Sequence, residues 1–401
     1  MKKHILFIAA KDHTIARCQQ LGIDCSLVQL GYLHSPYQSQ VCLNYHELSL
    51  TQPQMVLQQN ISHVVEVAEQ IHSARPIDAV VTFLEFTQEA TAAIAKRLNI
   101  ATNIDEQAME LTRCKFNMRT CLSDTGLHAI PFAKVDSLAA LSEFFAKQSH
   151  PVIVKPAQGA ASKGVCLVKE ESELAEAFVQ ASDNGNAEVI VEGYIDTDLE
   201  YSVESLSIDG RHELIAFTEK TVQGAPHFVE VGHVQPAQIE TQLQQSITEQ
   251  VITLLQEIGH KNGPAHTELK VKDSVPYIIE TQLRIGGDQI WELTELTTGR
   301  SQISETLAHL VSLPAPKPTL ATNAAAIRFV MPENVRTESR PDVLIEHDGI
   351  NRVELEESAD WTRKSRANHS GERLGYCLAT GHLVEHAKNA IDKCFDTFMF
   401  H

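Results

Sequence analysis

One stretch of the chain, AHTELKVKDSVPYIIETQLRIGGD at residues 265–288, limits its fold and chemistry more than any other. If its two apolar strands pair around a turn at residues 273–275, Glu268 faces Glu280 directly across the hairpin. Two buried carboxylates in these positions repel each other, and a divalent cation removes that repulsion. Mg²⁺ takes hard oxygen ligands and shares the oxygens of phosphates, so the hairpin predicts a metal site beside a phosphate-bearing ligand.

Further polar residues share the face of the two glutamates. Gln282 lies there by strand parity, and its amide oxygen is a candidate third metal ligand. Arg284 follows at the same period and suits bidentate binding of anionic oxygens, while His266 is a candidate to support the first glutamate. Gly286 and Gly287 would let the backbone approach a ligand. The alternative is a salt-bridged surface hairpin. The pattern argues against it, because three hydrogen-bond acceptors and an arginine recur at every second position of an otherwise apolar strand.

A small-residue loop stands earlier in the chain, in PVIVKPAQGAASKGVCLV at residues 151–168. Lys155 closes the strand before it, and the loop at 157–164 exposes backbone N–H groups that can surround an anion. It is not a Walker A loop, because the G-x-x-x-x-G-K-[ST] spacing is absent and a strand follows. Considered alone, the loop is read better as a mobile hairpin loop in solvent than as an anion site.

The segment VEGYIDTDLEYSVES, which begins at residue 191, has the features of a hinge. A strand ends near Glu192, and the four linker-like residues 196–199 precede an extended chain that begins at Glu200. Main-chain N–H and C=O groups of such a hinge can bind the edge of adenine, and a carboxylate beyond it can accept both ribose hydroxyls. The alternative is a strand–turn–strand unit with solvated acids.

Composition narrows the class of protein. The chain has 401 residues, is 43% hydrophobic and carries a formal net charge of −19, which argues against nucleic acid or anionic membrane as its main partner. Its eight cysteines form no C-x-x-C pair and are typical of reduced thiols in a cytoplasmic protein. We expect neither a signal peptide nor a membrane span, because the apolar run in MKKHILFIAAKDH is short and reads as a first strand.

The first 105 residues alternate between strand and helix patterns. HILFIAA, CSLVQL and DAVVTFLEF read as buried strands, and TIARCQQLGI and TQEATAAIAKRLNI read as helices between or after them. This order predicts a doubly wound β/α domain. A dinucleotide is not indicated, because G-x-G-x-x-G is absent. Glu85 follows the strand DAVVTFLE, where ligands of α/β domains tend to bind, although a helix-capping or solvated acid is an equal reading.

Five motifs in one order resemble the ATP-grasp superfamily: Lys115 in RCKFNMR, then VIVKP with its small-residue loop, VEGYI…LE, TELK and IIETQLRIGGD. The resemblance covers roughly residues 80–310. It implies a mixed α/β and α+β chain with the ATP-grasp fold. Its parts would be an N-terminal β/α domain at 1–105, a small subdomain with a phosphate-covering loop at 106–190, and a large subdomain with the metal site and a C-terminal extension at 191–401.

The resemblance also implies a role for each matching residue. The ATP phosphates would contact Lys115, Lys155, Ser162 and Lys163. Adenine would be held by Glu192 and the backbone of Gly193, Tyr194 and Ile195, and ribose by Glu200. Mg²⁺, with Mn²⁺ as an alternative, would be held by Glu268, Glu280 and Gln282. Position 282 departs from the usual pattern, which has asparagine there, and this leaves open how many metal ions bind.

The implied reaction is an ATP-dependent joining of a carboxylate to an amine through an acyl-phosphate, with Arg284 and Lys155 as the catalytic residues. PAHTELK and RIGGDQIWELTELTTG look most like the L-amino acid ligase branch, which joins amino acids or similar small acids. Substrate-binding candidates are Glu85, His227, Glu230, His233, Arg284, Gly286 and Gly287. For the two histidines, the alternative to substrate binding is a structural role.

Two other functions fit parts of the sequence. The end of the chain, ERLGYCLATGHLVEHAKNAI, is similar to the closing segment of biotin-carboxylase-like members, so a bicarbonate-phosphorylating or purine-pathway carboxylating ligase is one alternative. A catalytically silent ATP-binding protein is the other, and the joint presence of the two lysines, two glutamates and the arginine argues against it. In each case the partners are small molecules, and a homodimer is compatible with the resemblance.

Overall fold

The structure is a computed structural model that describes residues 2–48, 53–125, 127, 130–148, 150–159, 164–225, 227–335, 348–355 and 365–400, without the side chains of 53–59 and 397–400. Ser162 and Lys163, which the sequence assigns to phosphate contacts, lie outside these ranges. No helix in the described part of the chain combines the length and apolarity needed to cross a membrane.

The N-terminal part folds around a parallel five-stranded sheet with the order β3-β2-β1-β4-β5. Its strands are β1 (His4–Ile8), β2 (Asp24–Leu30), β3 (Tyr45–Leu48), β4 (Ala79–Val81) and β5 (Ala101–Thr102). Its helices are α1 (Asp12–Gln20), α2 (Pro36–Val41), α3 (Pro53–Ala74) and α4 (Gln88–Leu98). Because β1 is buried along its whole length, its apolar run reflects a central parallel strand covered on both faces.

Two helices lead from this sheet into an antiparallel four-stranded sheet with the order β6-β9-β7-β8. The helices are α5 (Glu106–Arg113) and α6 (Lys115–Asp124). The sheet and its covering helices are β6 (Phe132–Val135), α7 (Leu138–Ala146), β7 (Val152–Pro156), β8 (Cys166–Val168), α8 (Leu174–Ala181) and β9 (Val189–Gly193). The domain boundaries proposed from the sequence stay a prediction, and the second of them falls inside β9.

The remainder forms an antiparallel eight-stranded sheet with the order β14-β13-β10-β11-β12-β15-β17-β16. Its strands are β10 (Glu200–Ile208), β11 (Arg211–Val222), β12 (Glu230–Gln235), β13 (Gly263–Lys272), β14 (Val275–Gln282), β15 (Ala324–Phe329), β16 (Ile350–Leu355) and β17 (Gly375–Gly381). Its helices are α9 (Thr241–Glu257), α10 (Ile290–Thr298), α11 (Gln302–Leu310) and α12 (Val384–Phe400).

Shared cores fix the parts against one another. Met118 of α6 packs in one cluster with Val203 of β10 and Leu255 of α9. Phe7 of β1 packs in another with Ile303 of α11. Burial of apolar side chains at about 25 cal/mol per Å² makes such joint cores strong constraints on the relative positions of the sheets.

The hairpin β13–β14 places its two glutamates as predicted, although its turn differs from the expected one. Glu268 pairs with Glu280, but the turn comprises only residues 273–274, because Lys272 already pairs with Val275. A β-bulge at Ile279 adds the extra residue that a three-residue turn would have supplied. The facing pair is therefore confirmed, and the turn expected at 273–275 was wrong.

The two hairpin turns of the large sheet differ in their second residue. Asp209-Gly210 joins β10 to β11, and Asp273-Ser274 joins β13 to β14; all four residues have positive φ. Serine is strained in the left-handed region, whereas glycine is not. We expect Ser274→Gly to raise the free energy of unfolding by about 0.5 to 1 kcal/mol and Gly210→Ser to lower it by about 1 kcal/mol.

Thermal unfolding followed by circular dichroism measures both variants. Gly210 is a clean comparison because a Cβ there would meet no atom within 4 Å, so only backbone strain changes. Shifts of the same sign in the two variants would contradict the assignment of these turns.

Candidate active site

A cleft opens between the four-stranded sheet and the first strands of the eight-stranded sheet. Many of the residues that the sequence singled out line it: Lys115, Lys155, Glu192, Gly193, Tyr194, Ile195, Glu200, Glu230, Glu268 and Glu280. The structure therefore brings together residues separated by up to 165 positions in the sequence, from Lys115 to Glu280.

Lys155 stands on the small-sheet side of the cleft and is almost fully buried. Its Nζ lies 2.7 Å from Oε2 of Glu192, and Oε1 of Glu192 accepts a hydrogen bond of 2.7 Å from Nε of Arg119. Burial acts to raise the pKa of Glu192, but the two cations outweigh it and lower that pKa to about 2. Burial lowers the pKa of Lys155. Glu192 opposes this effect but does not cancel it, because Lys155 shares this single carboxylate with Arg119.

Arg119 is the site residue on this side that the sequence analysis missed. Besides Glu192, its guanidinium donates to the backbone carbonyls of Ile278 and Ile279 in β14. It thus ties β9 of the small sheet to β14 of the large one through a 3% exposed side chain. The only sequence signal was its position one helical turn after Lys115, on the same face of α6.

The hinge that the sequence predicted follows β9. The amides of Gly193 and Tyr194 donate to the carbonyls of Pro131 and Pro151 at 2.8 and 2.9 Å. No backbone acceptor for the Ile195 amide is found among the residues described. Because Glu192 already binds two cations, the hinge backbone is better placed than this carboxylate to bind an adenine edge.

Glu280, one of the two facing glutamates, is engaged at both carboxylate oxygens. Nζ of Lys115 lies 3.1 Å from Oε2 of Glu280 and donates to the Gly159 carbonyl at 2.9 Å. Burial opposes the charge on Lys115, but Glu280 outweighs burial and raises the pKa of this lysine. Gln282 donates from Nε2 to Oε1 of Glu280 at 2.7 Å.

The donor set fits a hard cation that arrives with further oxygen ligands. Oε1 of Gln282 is buried and has no hydrogen-bond partner in the part of the chain that is described. An orphaned amide oxygen next to two facing carboxylates is the kind of ligand that Mg²⁺ prefers. Within the described ranges, no three His, Cys, Asp or Glu side chains converge to hold a metal by themselves.

Lys220 of β11 is a second residue that sequence analysis missed. Its side chain is 1% exposed, and its Nζ lies 3.0 Å from Glu268, 3.3 Å from Glu200 and 3.7 Å from Glu230. Burial opposes its charge, but the three carboxylates together raise its pKa well above the ordinary value. Glu200 also binds Lys270 at 3.2 Å.

His266 supports Glu268, as the sequence suggested. Its Nδ1 lies 2.8 Å from Oε1 of Glu204 and its Nε2 lies 3.1 Å from Oε1 of Glu268. Burial acts to lower its pKa, but Glu204 and then Glu268 outweigh burial and raise it to about 9. Glu204, fully buried, explains the glycine at 286: a Cβ there would come within 2.8 Å of Oε2 of Glu204.

A second cavity of about 400 Å³ lies at the carboxyl ends of the parallel strands β1 and β4, and residues 284–287, which follow β14, line it as well. Glu85, Arg284, Gly286 and Gly287 line it together with aromatic side chains that include Trp291. Oε2 of Glu85 lies 3.6 Å from Nε of Arg284. The acidic and basic groups that the sequence placed at a substrate site therefore face one cavity.

The three residues expected around β12 are placed differently from one another. Glu230 lines the cleft and accepts a 2.9 Å hydrogen bond from Ser370. His233 is 1% exposed, packs edge-on against Phe329 and lies 3.8 Å from Asp288, which suits the structural alternative. His227 is half-buried and is not among the residues that line the cleft or the second cavity.

This architecture, a charged cleft between two antiparallel sheets preceded by a parallel β/α unit, defines the ATP-grasp fold. Residues 148–292 match the family described as ATP-grasp domain, so the chain carries an ATP-grasp domain. The L-amino acid ligase from Bacillus licheniformis superposes with a TM-score of 0.79 at 23% identity, over 99% of this chain and 98% of that one.

Two relatives are similar in sequence. Alanine–anticapsin ligase from Bacillus subtilis (strain 168) is 26% identical over 250 residues, which cover 57% of this chain and 52% of that protein. Formate-dependent phosphoribosylglycinamide formyltransferase from Burkholderia cenocepacia is 30% identical over 255 residues, which cover 62% and 58%. The matched regions thus span little more than half the length of these relatives.

Arg119 is buried and binds both sheets, so its role in joining them across the cleft can be tested by substitution. Arg119→Met leaves two carbonyls and part of a buried carboxylate without a donor, so we expect the protein to lose about 3 kcal/mol of stability. The matched control is Lys134→Met, which removes an exposed ion pair with Glu188 on the same sheet and should cost less than about 0.5 kcal/mol. Equal shifts of the thermal midpoint in the two variants would refute the bridging role.

Proposed function

We propose that this protein is an ATP-dependent carboxylate–amine ligase that joins two amino acids, or similar small acids, with release of ADP and phosphate. One observation carries the proposal: β14 contributes Glu280 to the cleft with its paired glutamates and lysines, and the chain that follows it lines a cavity that presents Glu85 and Arg284. The names of two similar proteins, alanine–anticapsin ligase and L-amino acid ligase, support the same reaction.

The cleft suits a nucleotide in one orientation. Gly193 to Ile195 would bind adenine through the backbone, with Glu200 next to ribose at the start of β10. Lys115 and Lys155 would contact the phosphates from the opposite end, and contacts by Ser162 and Lys163 stay predictions. Glu192, instead of touching adenine, would hold Lys155 in position through their 2.7 Å ion pair.

The facing glutamates and the amide oxygen of Gln282 would hold Mg²⁺, or Mn²⁺ in its place. When bound, the ion offsets negative charge on the phosphates of ATP. Lys115 binds Glu280 and therefore keeps the carboxylate turned toward the cleft.

The chemistry follows from these positions. A substrate carboxylate oxygen attacks the γ-phosphorus, the bond to ADP breaks, and an acyl-phosphate forms while Lys115 and Lys155 stabilise the transferred charge. The lone pair of the amine then attacks the acyl carbon, phosphate leaves, and the nitrogen loses a proton to give the amide. Arg284, at the mouth of the second cavity, would stabilise the oxyanion of this step.

The second cavity indicates how an amino acid could be recognised. A carboxylate and a guanidinium 3.6 Å apart are complementary to the ammonium and carboxylate groups of a zwitterion. Small molecules are thus the partners that this function requires. A homodimer and a cytoplasmic location stay predictions.

The decisive experiment measures ADP release by the full chain with ATP, Mg²⁺ and pooled amino acids, and identifies the product by mass spectrometry. We expect ADP and a dipeptide to form together only when both substrates are present. ADP release that depends on bicarbonate, without an amide product, would support the carboxylating alternative instead. Nucleotide binding without ADP release under any condition would support the silent binding protein.

Glu280→Gln tests the site directly. The amide keeps the size of the side chain but removes the charge that faces Glu268, so we expect ADP formation to fall by about a hundredfold or more. Glu188→Gln, which removes an exposed carboxylate of similar size near β9, is the matched control and should leave the rate unchanged. Retained turnover in Glu280→Gln, with normal folding, would reject the metal assignment.

A further inference from the structure

Lys220 lies among three carboxylates for which the sequence suggested three different tasks. Its Nζ is within 3.0 to 3.7 Å of Glu268, Glu200 and Glu230, and its side chain is 1% exposed. A lysine so deeply buried is rare unless its charge is compensated, and three acids are more than compensation requires.

We infer that Lys220 is a positioning residue that takes the place of a divalent cation in the nucleotide-free site, so that the metal ion enters only together with the nucleotide. This rests on the proposed function, because it takes the cleft to be the nucleotide site. Lys220 then sets the order of binding without touching the reacting atoms.

The hydrogen bonds of the facing glutamates support the inference. Oε1 of Glu268 already lies 3.0 Å from Lys220 and 3.1 Å from His266. Both oxygens of Glu280 are also engaged, one by Lys115 and one by Gln282. Within the described ranges, the buried Oε1 of Gln282 has no hydrogen-bond partner, but one amide oxygen is too few ligands for an octahedral cation.

The charges around the site lead to the same conclusion. A bare divalent ion approaching Glu268 meets the fixed positive charge of Lys220 on the same carboxylate, and repulsion at that distance is strong in a buried site. A nucleotide brings its own negative charge and oxygen ligands, and it also offers Lys115 and Lys155 new partners. The ion then gains ligands that the protein alone does not supply.

Loss of Lys220 would affect the three acids unequally. Among the residues that the structure describes, Glu200 keeps Lys270 at 3.2 Å, Glu230 keeps the hydroxyl of Ser370, and Glu268 keeps His266. Lys220→Met therefore leaves Glu230 and Glu268 undercompensated in the buried cleft. A divalent cation is the simplest replacement for the missing charge.

The test is Mn²⁺ binding by the full chain, measured from the electron paramagnetic resonance signal of free Mn²⁺ with and without a non-hydrolysable ATP analogue. We expect the wild type to bind Mn²⁺ at least about tenfold more tightly with the analogue. Lys220→Met should bind Mn²⁺ without nucleotide at least about tenfold more tightly than the wild type does. Lys220→Arg keeps the charge and should behave as the wild type.

Lys270→Met is the matched control, because it removes the same charge from the same cleft but contacts Glu200 instead of Glu268. Equal gains of Mn²⁺ affinity in Lys270→Met and Lys220→Met, or no gain in either, would overturn the inference. So would a wild type that binds Mn²⁺ equally well with and without the analogue, a comparison that needs no variant to fold. Failure of the wild type to bind the analogue at all would instead reject the proposed nucleotide site.

Discussion

The guanidinium of Arg119 is the interaction on which the rest of the cleft depends. It binds Glu192 of the small sheet and the carbonyls of Ile278 and Ile279 in the large sheet. Those carbonyls flank the β-bulge of β14, so the arginine is bound where the strand departs from regular pairing. Glu192 in turn holds Lys155 in the cleft. One buried cation thus links the position of Lys155 to the strand that carries Glu280.

Because both hairpins contain a β-bulge, the position of the turn alone does not give the correct pairing of residues across the strands. Counting back from Asp273-Ser274 without a bulge pairs Glu268 with Ile279, which has the wrong face. The expected three-residue turn gave the correct pair because it added one residue in a different place. The hairpin β10–β11 has a similar bulge beside Glu204, and only with it does Glu200 pair with Lys220. A bulge leaves no reliable mark in a single sequence, so Lys220 could not be placed opposite Glu200.

The sequence could predict those features that depend on local pattern. Alternating apolar strands, the Asp209-Gly210 turn and the glutamates at matching parity all follow from neighbours along the chain, and the structure has them. Arg119, Lys220 and Glu204 act through partners that are up to 160 positions away along the chain, in strands whose alignment the sequence leaves open. Their signal would have been indirect: charged residues at positions where a buried strand or helix face is otherwise apolar.

Position 282 shows how the site accommodates its departure from the usual asparagine. The longer side chain of Gln282 bends back two residues to donate to Glu280, and its oxygen stays buried without a partner. A shorter side chain places its amide one methylene nearer the strand, so it has less reach toward the preceding glutamate on the same face. Glutamine therefore orients one predicted metal ligand while it supplies another. With Lys115 on the other oxygen, Glu280 is fixed from two sides before any ligand binds, which is the preorganisation that stabilises developing charge at low cost.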